Sequence, residues 1–182
     1  GNAIMDKINW DLISEFEGKG IKTGYVPSDN SGVTIGTGVD LKEKDEEYFR
    51  SINVSEGIIE KVKPFFTLKG SEASEVAGNL QLTDEEVLEL DTAVKANYAN
   101  SIKTKYENAT GKSFADLNSA QQTVIVSVGF QYGSFERTPS FWRATVSGDW
   151  KGVESELRNF GDAYATRRIR EADLLAAMDN NG

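Results

Sequence analysis

Between residues 23 and 41 the chain is built largely from glycine, threonine and β-branched residues, and almost everywhere after that its apolar residues recur at helical spacing. Glycine costs a helix about 1 kcal/mol per residue relative to alanine, so this segment reads as strand and turn. Gly24-Tyr25-Val26 and Val33-Thr34-Ile35 predict two short strands, and Pro27-Ser28-Asp29-Asn30-Ser31-Gly32 predicts the turn between them. One β segment ahead of a helical remainder restricts the chain to the α+β class, with sheet and helices segregated. The expectation is a β-containing lobe over roughly residues 18–45, a larger helical lobe, and a cleft between the two.

The helices announce themselves by their boundaries. Ile8, Leu12, Ile13 and Phe16 recur on one face of a helix over residues 6–17, which Gly18 stops. Ser55 to Val62 forms another, ended by Pro64. Thr83 with Glu86 has the capping-box spacing and opens a long helix whose apolar face carries Val87, Leu90, Val94, Tyr98 and Ile102. Asn118 to Gln121 repeats the signal ahead of Val124, Ile125 and Val128, in a stretch apolar on nearly all sides that reads as a buried central helix. Two more helices follow over 149–160 and 164–178. The whole, 1–182, is expected to be a single domain and a monomer, with Gly1-Asn2-Ala3 a cloning scar and no charged-then-apolar leader in view.

The chain has no histidine and no cysteine. That excludes Ser-His-Asp and Cys-His catalysis, disulfides and most zinc sites, so acid-base work falls to Asp, Glu, Lys or Tyr, with no metal or cofactor expected. The net charge of −9 argues against nucleic acid as a partner. No apolar run is long enough to insert in a membrane.

Within this frame Glu15, Glu17, Asp29 and Asp40 are the carboxylates of interest. Cleavage of a glycosidic bond needs one carboxylic acid to protonate the leaving oxygen and a second carboxylate to activate water or stabilise the oxocarbenium-like state, with neither histidine nor metal.

Glu17-Gly18, Tyr25 and Thr34-Ile35-Gly36-Thr37-Gly38 together resemble the catalytic stretch of phage-type lysozymes, where a Glu-Gly closes the first helix and a β-hairpin follows. The longer string Ser31 to Leu41 is similar to the pesticin-like branch of bacterial toxin and effector lysozymes. Val128-Gly129-Phe130-Gln131-Tyr132-Gly133 resembles the family's central helix, and Ser147-Gly148-Asp149-Trp150 with Arg167-Arg168-Ile169-Arg170-Glu171-Ala172 its closing helices. The likeness spans roughly residues 10–41 and 118–176; residues 42–117 match only in being helical.

The resemblance implies a lysozyme-like fold and a muramidase that cuts peptidoglycan glycan strands. It makes Glu17 the general acid and Thr34 the holder of a water near the sugar carbon. The second carboxylate stays open. The toxin branch places it six residues after the Thr, at Asp40; the phage branch six before, at Ser28, beside Asp29. Asp40 is the first choice and Asp29 the runner-up, although each also suits a turn or cap. Tyr25, Gln131 and Tyr132 are candidate substrate-binding residues. Arg167 or Arg168 resembles the arginine that faces the catalytic Glu, and equally reads as a solvated pair with Glu171. Glu15 reads as a surface charge, Trp150 as core, and Trp142 as either core or sugar platform. Gly36 and Gly38 read as close-approach positions. A toxin would work at the wall or in the periplasm of a target cell and would have an immunity protein as partner. The competing expectations are a non-catalytic wall-binding module on the same scaffold, favoured by the acidic charge, and a lytic transglycosylase or chitinase.

Overall fold

A computed structural model describes residues 7–181; Gly1-Asn2-Ala3 lies outside the described residues. Helix α1, Trp10–Glu17, begins four residues later than the expected 6–17, whose first residue lies outside the described ones. The reason is Asn9, whose side-chain oxygen accepts from the Leu12 N–H at 3.1 Å and so caps the helix. Gly18, at φ +79°, ends it in the left-handed region that glycine adopts without penalty.

The chain then forms an antiparallel sheet, β1 (Ile21–Tyr25), β2 (Thr34–Gly36) and β3 (Val39–Asp40), in that spatial order. This corrects the expected strands: β1 starts earlier and stops before Val26, and β3 was not foreseen. β1 is lengthened from outside, because the Gly24 N–H donates to the Leu80 carbonyl at 2.8 Å and the Leu82 N–H to the Lys22 carbonyl at 2.9 Å. Those bonds cover part of an otherwise open sheet edge. Ile21 pairs with Gly36 and Tyr25 with Thr34, so β1 carries extra residues between the two pairs and bulges.

The backbone falls into two compact units. One is Glu17–Tyr98. It holds the sheet, helices α2 (Glu46–Ser51), α3 (Glu56–Val62) and α4 (Gly70–Val76), and the first half of α5 (Asp84–Thr110). The sheet-bearing unit therefore runs well beyond the expected lobe. Ile35 and Val39 on the strands, with Val33 and Leu41 flanking them at alternate positions, turn into one apolar core with Phe49, Ile58, Ile59, Val62, Leu80, Val87 and Leu90. The expected capping box opens α5: the Glu86 N–H donates to Thr83 Oγ1 at 3.1 Å, and the Thr83 N–H to Glu86 Oε1 at 2.9 Å.

The other unit is built from the chain up to Phe16 and from Ala99 onward. Its centre is α6 (Ser119–Tyr132), opened by a capping box between Asn118 and Gln121 and buried from Gln122 through Gly129, as the all-round apolar pattern predicts. The segment before α1 is laid on α6: the Asn9 N–H donates to Thr123 Oγ1 at 2.8 Å, and the Lys7 N–H to Gln122 Oε1 at 3.1 Å. Helices α7 (Pro139–Ser147), α8 (Trp150–Arg158) and α9 (Ala165–Asn181) complete this unit. Among the described residues no helix is long and apolar enough to cross a membrane.

Candidate active site

Glu17 is the last residue of α1 and is half-buried. Four residues on the chain enters β1, so the same unit holds Glu17 and the sheet. On the sheet, Tyr25 pairs with Thr34 and Thr34 pairs with Asp40. Directly opposed residues of antiparallel strands share a face, with Cβ atoms about 5 Å apart. The sequence therefore folds three of its candidate residues into one cross-strand row, on the face opposite Val33, Ile35, Val39 and Leu41. Asp29 is not in the row; it is exposed in the turn between β1 and β2. There it lines an open groove of about 620 Å³ with Pro27 and Ser28 on one side and Ser71, Ser74 and Glu75 of α4 on the other.

Two members of the row are tightly held. Thr34 is 2% exposed and its hydroxyl donates to the Gly32 carbonyl at 3.1 Å. Asp40 accepts the Gly32 N–H on both oxygens at 3.2 Å and the Lys42 N–H on Oδ1 at 2.9 Å. Its carboxylate thus closes the turn before β2 against the end of β3. Tyr25 is half-buried and its hydroxyl holds its proton above the usual tyrosine range, through burial first and the negative charge of Asp91 second.

Asp91 is a residue the sequence reading missed. It is 7% exposed, on α5. Its Oδ1 accepts the Thr37 N–H at 3.0 Å. Burial pushes its carboxyl up; the Thr37 amide and Lys95 oppose that, and Glu17 adds to it. The signal was available: Asp91 follows Leu90 and lies one turn after Val87, a charge inside an apolar stripe.

The remaining candidates lie in the helical unit. Tyr132 donates to Asp162 Oδ2 at 2.5 Å, and burial followed by that carboxylate pushes its hydroxyl up to about 12. Gln131 Oε1 accepts from Arg168 Nη2. Arg167 donates from Nε to Ser127 Oγ at 3.1 Å and from Nη2 to the Ser127 carbonyl at 3.0 Å, and its guanidinium lies 5.0 Å from the centre of the Phe16 ring. Arg168 and Glu171 are 1% and 0% exposed, with Nε 2.9 Å from Oε1. The distance is that of an ion pair, but Arg168 Nε and Glu171 Oε1 are not aligned for a hydrogen bond. The pairing of this Arg run with Glu171 is thus present, but buried where a solvated pair was expected; Arg168 has the placement of a core residue that fixes Gln131 and Glu171. Ser127 donates to the other oxygen of Glu171. Burial raises the Glu171 carboxyl to about 7 against the opposing pull of Arg168, and burial lowers the Arg168 guanidinium.

Trp142 stacks on Phe135 at 4.2 Å between ring centres, and Trp150, read as core, is only half-buried at the start of α8. Glu15 is exposed and pairs with Arg170 at 3.2 Å, as a surface charge would. Residues 7–151 match the model of a family described as pesticin, a bacterial toxin homologue of phage lysozyme, C-terminal part. No curated protein matches the chain.

Proposed function

This chain belongs to the pesticin family of bacterial toxin homologues of phage lysozyme, and we propose that it is a muramidase, hydrolysing the β-1,4 bond between N-acetylmuramic acid and N-acetylglucosamine. The family and the α+β fold, with its small antiparallel sheet, support a peptidoglycan hydrolase in general. The observation that carries the finer reading is the row Tyr25–Thr34–Asp40 on one sheet face, in the same unit as Glu17.

In this reading Glu17 gives its proton to the leaving oxygen as the glycosidic bond breaks. Water then adds its hydroxyl to the sugar carbon and its remaining proton restores Glu17. Thr34 and Asp40 set the shape and charge of the surface under that carbon. Two amide donors fix Asp40 in place, which suits a stabiliser of developing positive charge more than a group that must swing to attack. Tyr25 offers a hydroxyl to the sugar from the same row, and Asp29 is kept as the alternative second carboxylate; in the helical unit Gln131, Tyr132 and Arg167 are the candidates for substrate binding, while Arg168 is buried and holds Gln131. As a toxin domain the protein would act at the wall or in the periplasm of a target bacterium, and a dedicated immunity protein would be its natural antagonist.

Digestion of purified peptidoglycan with mass spectrometry of the products tests this. Wild type should release reducing muramic-acid ends, Glu17→Gln should release none, and Asp40→Asn should lose at least ~100-fold in rate, while Asp29→Asn stays near wild type. A second reading, a lytic transglycosylase working with Glu17 alone, is favoured by the engagement of Asp40 with backbone amides. It predicts anhydro products and an active Asp40→Asn. No products from folded wild type would refute both.

A further inference from the structure

Arg167 and Arg170 stand three residues apart on α9, so they share one face of that helix. Their guanidinium carbons lie 5.0 Å and 5.1 Å from the centre of one ring, that of Phe16 on α1. Arg170 also reaches the neighbouring residue, with its Nη2 3.2 Å from Glu15 Oε2. Two successive side chains at the end of α1 are therefore held by α9, and the residue that follows them is Glu17. The hold is anchored in turn on the buried helix α6. Arg167 donates to Ser127 Oγ at 3.1 Å and to the Ser127 carbonyl at 3.0 Å.

A ring on the apolar stripe of a helix ordinarily goes into the core. Ile8 and Ile13 do so, but Phe16 stays half-buried and takes two cations. A guanidinium over an aromatic face is drawn to the negative face of the ring, more strongly as water is withdrawn. Two like charges at this helical spacing repel one another unless each is balanced. Both are: Arg167 Nε is 3.8 Å from Glu171 Oε2, and Arg170 has Glu15. The chain leaves Glu17 through Gly18, where an added Cβ would meet nothing within 4 Å, so packing at that glycine does not brace the helix end.

We propose that Phe16 and Arg170 are positioning residues for the general acid: the two guanidinia of α9 grip the Phe16 ring and so fix the direction of the last turn of α1, which ends in Glu17. The proposal rests on the muramidase reading above. Proton transfer to a leaving oxygen needs the donor within hydrogen-bond reach, and a displacement of about 1 Å at the reacting groups can cost on the order of 100-fold in rate. Neither Phe16 nor Arg170 need touch the sugar. Loosening the grip slows the chemical step and leaves substrate binding as it was.

The test uses Phe16→Leu, Phe16→Tyr, Arg170→Gln and Arg170→Lys, with soluble peptidoglycan glycan strands as substrate and NMR amide exchange as a second readout. Arg167 is left intact because it is a candidate for substrate binding. In Phe16→Leu and Arg170→Gln, kcat should fall roughly tenfold with KM within about twofold of wild type. Phe16→Tyr keeps the ring and Arg170→Lys the cation, so both should recover most of the loss. The Phe16 and Glu17 amides should exchange roughly tenfold faster in the two damaging variants, while those of α6 stay as in wild type. Unchanged kcat and exchange in a folded Phe16→Leu overturns the proposal. So does a raised KM at constant kcat, because Phe16 would then be touching substrate. Should Phe16→Leu fail to fold, Arg170→Gln, at the exposed partner, decides by the same measures. Faster exchange at the end of α1 in variants of a wild type that leaves glycan strands intact would support the grip and strike the muramidase reading instead.

Discussion

Glu171 gives the chain a stability that should fall as the medium becomes less acidic, the reverse of ordinary acid denaturation. Its carboxyl is fully buried and is raised from 4.5 to about 7 by burial, against Arg168, Ser127 and Arg167, with Asp162 adding a little in the same direction. The sign follows from which state gives up the proton first. Between pH 4.5 and 7 the unfolded chain has lost the Glu171 proton while the folded chain still holds it, so the folded state binds more protons and stability falls with rising pH. Each pH step of one is worth about 1.4 kcal/mol per proton, so the full difference is about 3 kcal/mol, most of which falls between pH 5 and pH 8. Glu171→Gln imitates the protonated side chain and removes this slope. Thermal unfolding followed by circular dichroism at pH 5 and pH 8 should show the two proteins close at pH 5. At pH 8 the variant should gain on wild type by roughly 5–10 °C in Tm. Comparing the two proteins cancels every other titrating group, Asp91 included. A gap that is equal at both pH values would refute the reasoning. A variant lower by about 3–5 kcal/mol throughout would mean that Glu171 is ionised in the fold at all pH values and that Arg168 needs it charged.

Gly36→Ala combines a left-handed φ of +66° with a Cβ 2.3 Å from Asp91 Oδ1, whereas Gly18→Ala, at φ +79°, meets nothing within 4 Å. Urea unfolding should show Gly18→Ala losing about 1–2 kcal/mol and Gly36→Ala at least about twice that. Asn118→Ala opens the capping box of the buried α6 and should cost about 1 kcal/mol, with Asn118→Ser recovering most of it in the same assay. With a net charge of −9 meeting an anionic wall, the rate of peptidoglycan digestion should rise as salt is added from low ionic strength, because screening relieves repulsion; a rate that falls steadily with salt would contradict this.

The sequence was most legible where short-range chemistry decides the structure. Thr83 with Glu86 and Asn118 with Gln121 both form the boxes their spacing predicts, and the helices they open are where they should be. β3 was missed because Val39-Asp40 has no strand signature of its own; pairing with Thr34 and Ile35 holds it there. The start of β1 was missed because contacts with residues 80–82, far along the chain, extend it. The candidate site divides in the same way. Glu17 is set by a helix end and a glycine, and the Thr34–Asp40 pairing by a tight hairpin, all local. The burial of Glu171 and of Asp91 depends on packing between distant segments, and an Arg-Arg-x-x-Glu run looks the same in sequence whether water or protein surrounds it.

The sheet also has unequal tolerance for change in length. β2 and β3 are joined by Thr37 and Gly38 alone, with Ile35 facing Val39 and Thr34 facing Asp40. An added residue there would slip the register and turn Asp40 to the other side of the sheet. The exposed turn around Pro27 to Ser31 has no such constraint, since lengthening a surface loop costs only a few tenths of a kcal/mol per residue. Among chains built on this sheet, the interval before the threonine is free to drift and the interval of six after it is not. An acid that precedes the threonine can therefore be found only by inspection of each structure, while one that follows it is placed by counting.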